Sequence, residues 1–153
     1  MADDLRDVIA ALKISGVLER IGDYAENIAK RVGSVEGRAK IEPLTLIPAM
    51  ADIARSMVHD VLNAYAARDK ELALEVIRRD DKVDNFYDSI FRNLVSHMME
   101  NPATISDAAQ LLFVARNIER IGDHATNVAE LVHYAATGDY MPEAAERGEA
   151  GRN

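Results

Sequence analysis

The sequence predicts an all-α protein, and three observations carry that expectation. Aromatic residues make up only 5% and Trp is absent, while Ala, Leu, Ile, Val, Glu, Asp and Arg dominate, a vocabulary that favours helices over sheets. The 153 residues include only 8 Gly and 4 Pro, so strong breaks in regular structure are few. Between those breaks, apolar residues recur at three- and four-residue steps. With 48% hydrophobic residues, a chain of this length can bury one sizeable core.

Four helical stretches follow from the punctuation. The first spans about Asp3 to Val32 and stops at Gly33-Ser34, with Ile14, Val17, Leu18, Ile21, Ala25, Ile28 and Val32 on one face. Gly33 to Pro48 reads as an irregular linker. The second helix begins near Ile47-Pro48, where Pro is tolerated in a first turn, and reaches about Ala67. Asp69 is the expected N-cap of a third helix ending near Met99. Asn101-Pro102 interrupts the chain, and a fourth helix runs from Thr104–Ser106 to about Ala136, with Gly138 as its stop. The tail from Asp139 carries almost nothing to bury and is expected to fray. Long helices joined by short turns make an antiparallel bundle. Met50, Met57, Met98, Met99, Phe86, Tyr87 and Phe91 are expected to fill its core.

Charge and composition exclude several functions. With 18 Lys plus Arg against 26 Asp plus Glu, the formal charge is −8, opposite to what phosphate backbones or anionic lipid headgroups require. No nucleic-acid partner is expected. Cysteine is absent, which removes disulfides, thiolate zinc sites and cysteine nucleophiles. No apolar run is long enough to span a bilayer, and Met1-Ala2-Asp3-Asp4-Leu5-Arg6-Asp7 lacks the basic and apolar regions of a secretory signal. A cytoplasmic location without direct membrane insertion is expected.

The most informative feature is an internal repeat. Residues 12–30 and 112–130 are identical at nine of nineteen positions, centred on Glu19-Arg20-Ile21-Gly22-Asp23 and Glu119-Arg120-Ile121-Gly122-Asp123. The chain therefore contains one helix twice, 100 residues apart. Two helices precede the second copy and none precedes the first.

In each copy, Glu, Asp and Asn stand at i, i+4 and i+8 and stack along one side: Glu19, Asp23, Asn27 and Glu119, Asp123, Asn127. This line lies opposite the apolar stripe. On the third helix, Asp80, Asp84 and Asp88 repeat the spacing, with Asp81 beside them. Antiparallel packing of the third and fourth helices would set Asp80/Asp84 beside Glu119/Asp123, a carboxylate group suited to a hard, oxygen-preferring cation. Gly122 would permit close approach. The plainer reading is a solvated acidic face, neutralised by Arg78, Arg79, Lys82, Arg116 and Arg120. Two other classes stand beside an ion-holding acidic face. A carboxylate-bridged di-metal enzyme would need two Glu-x-x-His motifs, of which the chain has one, at Glu130 and His133. A metal-free helical dimerisation module needs no ligand at all. His59, His97, His124 and His133 are scattered, and each reads as a packing or half-exposed residue.

The doubled Glu-Arg-Ile-Gly-Asp segments, each followed by Ala-x-Asn, resemble the repeated motif of the PhoU family of phosphate-specific transport system accessory proteins. The stretch Glu130 to Gly138 is similar to that family's closing helix, and the resemblance covers about residues 2–138. It implies a three-helix bundle of long antiparallel helices plus one additional N-terminal helix from an incomplete second bundle. On that pattern residues 1–33 are the last helix of a truncated repeat, 34–47 a linker, 48–138 a complete repeat and 139–153 a flexible tail. The resemblance places the metal motifs on Glu19/Asp23, Glu119/Asp123 and Asp80/Asp84, and implies divalent or ferric ions: iron, zinc, manganese or magnesium. Glu19 and Asp23 lack the neighbouring acidic helix that would complete their cluster. Leu5, Val8, Ile9 and Leu12 are expected to be left wet and to promote self-association. The implied role is not enzymatic. It is negative regulation of phosphate uptake and phosphate-starvation signalling, between a phosphate ABC transporter and a sensor histidine kinase. A homodimer is expected, peripheral to the inner membrane only through those partners.

Overall fold

A computed structural model describes residues 2–35 and 45–141. Residues 36–44, most of the expected linker, and 142–153, most of the expected tail, lie outside the described residues. Among the described residues, four long helices make up the fold: α1 (Ala2–Val35), α2 (Leu46–Ala67), α3 (Lys70–Glu100) and α4 (Ile105–Thr137). A single 3-10 turn at Pro102–Thr104 separates α3 from α4, where Asn101-Pro102 predicts a break. The fold is all-α, as the composition predicts.

The α2–α3 junction shows how two residues turn the chain. Arg68 takes a left-handed conformation (φ 53°), and its N–H donates to the Tyr65 carbonyl at 3.3 Å. The Asp69 N–H reaches back to the Ala64 carbonyl at 2.9 Å, which completes a Schellman-type closure of α2. The Asp69 carboxylate then caps α3, with Oδ1 accepting the N–H groups of Glu71 and Leu72 at 3.0 Å each. At the other end of the chain, Gly138 (φ 83°) ends α4 as expected, its N–H donating to the Tyr134 carbonyl at 2.8 Å.

Helix α4 is the centre of the molecule, because α1, α2 and α3 all pack against it. Its fully buried Val114, Val128 and Val132 meet Met50, Met57 and Val61 from α2 and Val76, Val83, Ile90 and Leu94 from α3 in one core. Helix α1 packs almost wholly on α4. The two are antiparallel: Arg31 donates to Gln110 Oε1 at 2.8 Å near one end, and Arg6 lies against Gly138 at the other. Between them Tyr24 and His124, equivalent positions in the two copies of the repeat, meet edge to face with centroids 5.1 Å apart. Equivalent residues in contact across antiparallel helices mean that an approximate two-fold axis relates the copies.

Packing against one helix makes the buried stripe of α1 narrow. Ala10 and Ile14 are buried, Val17, Leu18, Ile21 and Ile28 are half-buried, and Ala25 and Val32, expected on that stripe, are exposed. On its outer side Leu5 is 62% exposed and Leu12 71%, as expected for a helix with an uncovered face. Two expected core residues are also at the surface: Phe91 is exposed and Met99 is 79% exposed. The chain does not leave the bundle at Asp139, since Tyr140 stacks on Tyr134 at 4.2 Å and Met141 packs against the core.

Candidate metal centre

The site is built where α3 crosses α4 at Gly122. Asp80 and Asp84 sit one turn apart on α3, and Asp123 rises from α4 beside them. One carboxylate oxygen from each lies within 4.8 Å of the others. Gly122 makes this approach possible. A Cβ there would stand 3.3 Å from Asp80 Oδ1 and 3.3 Å from Val83 Cγ1, so a side chain would push against the Asp80 carboxylate and the buried core together. Asp80 Oδ1 is closed off from solvent at this crossing.

Electrostatics mark the group as strained in charge. Burial, followed by the charges on Asp123, Asp81 and Asp88, raises the Asp84 carboxyl above its ordinary value, with Arg116 opposing. Glu119 is raised as well, first by burial, although Arg116 donates to Glu119 Oε2 and pulls the other way. Partial desolvation therefore outweighs an ion pair whose arginine is half in water. Gathering carboxylates this closely costs free energy that a cation offsets. The donor set is all oxygen, and its residues fit a hard divalent or ferric ion better than a soft one.

Sequence-predicted residues divide clearly. Asp80, Asp84 and Asp123 come together, and Glu119 lies alongside but outside that close group, held by Arg116. Glu19 and Asp23 are exposed on α1, and among the described residues they join no such group. Gly22, the counterpart of Gly122, has nothing within 4 Å of an added Cβ. Of the cations expected to neutralise the ridge, Arg79 instead pairs with Asp60 of α2 at 2.7 Å, and Arg120 lies 5.8 Å from the Tyr24 ring on α1. The histidines stand apart from the carboxylate group. His124 contacts Tyr24, His59 contacts Asp60 at 3.1 Å, and the ring of His133 faces the Asp139 carbonyl at 3.3 Å. Arg116, one of the cations expected to neutralise the ridge, does so through Glu119 at i, i+3 spacing.

Comparisons with known proteins bear on the fold and the family. The family profile described as PhoU domain matches residues 1–32 and 47–132. A phosphate-specific transport system accessory protein PhoU homolog from Zymomonas mobilis is 54% identical over 143 residues, covering 94% of this chain and 60% of that protein. Its counterpart from Caulobacter vibrioides is 48% identical, covering 92% of this chain and 62% of its own length. The crystal structure of PhoU from Pseudomonas aeruginosa superimposes with a TM-score of 0.87 at 38% identity, covering 91% of this chain and 67% of that one. That of the phosphate transport system regulatory protein PhoU from Streptococcus pneumoniae gives 0.85 at 26% identity, with coverage of 93% and 67%. The chain spans about 60% of the length of the curated relatives it matches. Those relatives are named as transport accessory proteins, not as enzymes.

Proposed function

The chain belongs to the PhoU family, and from that premise we propose that it is a metal-holding helical adaptor that restrains phosphate uptake and phosphate-starvation signalling. The observation that carries the reading is the convergence of Asp80, Asp84 and Asp123 across the α3–α4 crossing, in a chain 54% identical to a protein named for that transport system. Asp80, Asp84 and Asp123 supply the oxygen ligands, with Glu119 in reserve. Gly122 keeps the two helices close enough for them to share one ion. A bound divalent or ferric ion (iron, zinc, manganese or magnesium) would neutralise the ridge and tie α3 to α4. The same donor types on α1, Glu19 and Asp23, are a second half-site that needs acids from elsewhere.

On this reading residues 1–33 are the last helix of one repeat, 34–47 a linker, 48–138 a complete repeat and 139–153 a tail. The partners are a phosphate ABC transporter and a sensor histidine kinase. Long exposed helices offer such partners broad docking surfaces. No described helix is long and apolar enough to cross a membrane, so attachment at the cytoplasmic side would come through them. A homodimer is part of the proposal, with the outer stripe of α1 as the apolar surface available to it. The reading is tested by deleting the gene in its host and measuring phosphate-starvation transcripts in phosphate-rich medium. They should switch on, and should be silenced again by the parent gene but not by one encoding D80N, D84N and D123N. Unaltered expression after deletion overturns the regulatory role.

A further inference from the structure

Arg116 stands at the edge of the acidic group as a cation that the chain itself provides. Its guanidinium donates to Glu119 Oε2 and lies 5.5 Å from the centroid of the Tyr87 ring on α3. Glu119 precedes Asp123 by one helical turn and feels the charges of both Asp123 and Asp84. Even so, it does not belong to the set of mutually close carboxylates. The Glu119 side chain is largely buried, at 15% exposure, whereas that of Arg116 is 48% exposed. A carboxylate in that position needs a cation beside it. The repeat adds an independent observation. Gly16 occupies the place equivalent to Arg116, so the arginine is not part of the duplicated motif. It occurs only in the copy whose acidic turn faces a second acidic helix.

We propose that Arg116 is a built-in counter-cation that keeps Glu119 out of the carboxylate group and so sets the threshold at which the site takes a metal ion. The proposal rests on the metal-holding reading above. When an ion occupies Asp80, Asp84 and Asp123, Glu119 exchanges one positive partner for another and becomes a further oxygen ligand. At no point is its buried charge left alone. Arg116 retains a place to go, because its half-exposed guanidinium keeps both water and the face of Tyr87.

Binding of Mn2+ to the purified protein, followed through the electron paramagnetic resonance signal of the free ion, tests this. R116Q should tighten binding by about three- to tenfold, the scale of one partly buried ion pair. R120Q removes the same formal charge from the next turn, where Arg120 faces Tyr24, and should change affinity by less than about twofold. Combined with E119Q, R116Q should bring no gain. The latch is overturned if R116Q binds no more tightly than R120Q, or if its gain survives in the E119Q background. Saturable binding that D123N abolishes but R116Q leaves unchanged sinks the latch and spares the metal site. Absence of saturable binding in both the parent protein and R116Q defeats the metal site and the latch with it. Binding seen only in R116Q, and lost again with D123N, is the strongest outcome in favour.

Discussion

Gly22 and Gly122 hold the same place in two copies of one pentapeptide, yet only Gly122 is in contact with another helix. A Cβ at Gly122 would meet Asp80 and Val83 at 3.3 Å, whereas one at Gly22 would meet nothing within 4 Å. A residue that is a packing requirement in one copy is a helix-weakening luxury in the other. Ala in place of Gly stabilises an exposed helix interior by about 0.5–1 kcal/mol, so Gly22→Ala should raise the urea midpoint. Gly122→Ala requires the fully buried Val83 and the Asp80 carboxylate to give way by a few tenths of an ångström, and overpacking of that kind costs about 1–3 kcal/mol. The two variants should therefore shift the midpoint in opposite directions. Equal stabilisation by both would show that the α3–α4 crossing is looser than its geometry indicates.

Stability of the metal-free protein should depend on pH through the acidic group. Asp84 and Glu119 have folded-state pKa values raised above the reference values of 3.8 and 4.5, in each case first by burial. A raised carboxyl binds its proton more tightly in the folded state, so its ionisation costs stability at neutral pH. That cost is relieved as pH falls through the raised values. Asp60 and Glu26 are lowered, Asp60 first by its hydrogen bond with His59 and Glu26 by Lys30, and their contributions are lost only below 3.8 and 4.5. As pH falls from 7, the relief at Asp84 and Glu119 therefore sets in before the losses at Asp60 and Glu26. Asp84→Asn should raise Tm at pH 7 by on the order of 1–2 °C, with a smaller rise at about pH 4, close to the ordinary value of the carboxyl. A scan in chelator showing the same difference at both values would contradict this.

The α2–α3 junction depends on one side chain. Asp69 Oδ1 accepts two backbone N–H groups at 3.0 Å, and an N-cap of this kind contributes about 1 kcal/mol. Asp69→Ala should lower Tm by about 2–4 °C without altering helical content measured by circular dichroism. An unchanged Tm would mean that the Arg68 backbone closure holds the turn unaided.

The outer stripe of α1 predicts association. Leu5, Val8 and Leu12 form a wet apolar line along about two turns. Sedimentation velocity should show a concentration-dependent mass for the parent protein, reduced in Leu12→Gln. A parent that sediments as a monomer throughout the micromolar range would remove this surface from consideration.

Much of this architecture was legible because helices repeat their chemistry at fixed steps. The i, i+4 spacing of Asp80 with Asp84 and Glu119 with Asp123 foretold a shared acidic face, and Asp69 and Gly138 marked their helix ends by type. A helical wheel, however, states which residues share a side and not how many neighbours that side has. For that reason Val32, Phe91 and Met99, apolar and correctly spaced, lie at the surface among the described residues. Arg68 was illegible for another reason. Its left-handed backbone is a position usually filled by Gly or Asn, and its side chain pairs with Asp7 on α1, 61 residues away. Arg116 was visible as a nearby cation, but which acid it would hold depended on the burial of Glu119.

Because α1 leans almost wholly on α4, the molecule should not open all at once. Its attachment is a one-sided seam, fastened near the start by Asp7 to Arg68 and by Arg6 against Gly138. The other three helices contribute the fully buried Met57, Val83 and Val128. Backbone amides of α1 should accordingly trade hydrogen for deuterium well before those of α4, as a separate cooperative unit. Arg68→Ala should hasten exchange in the first turns of α1 while the interior of α3 keeps its protection.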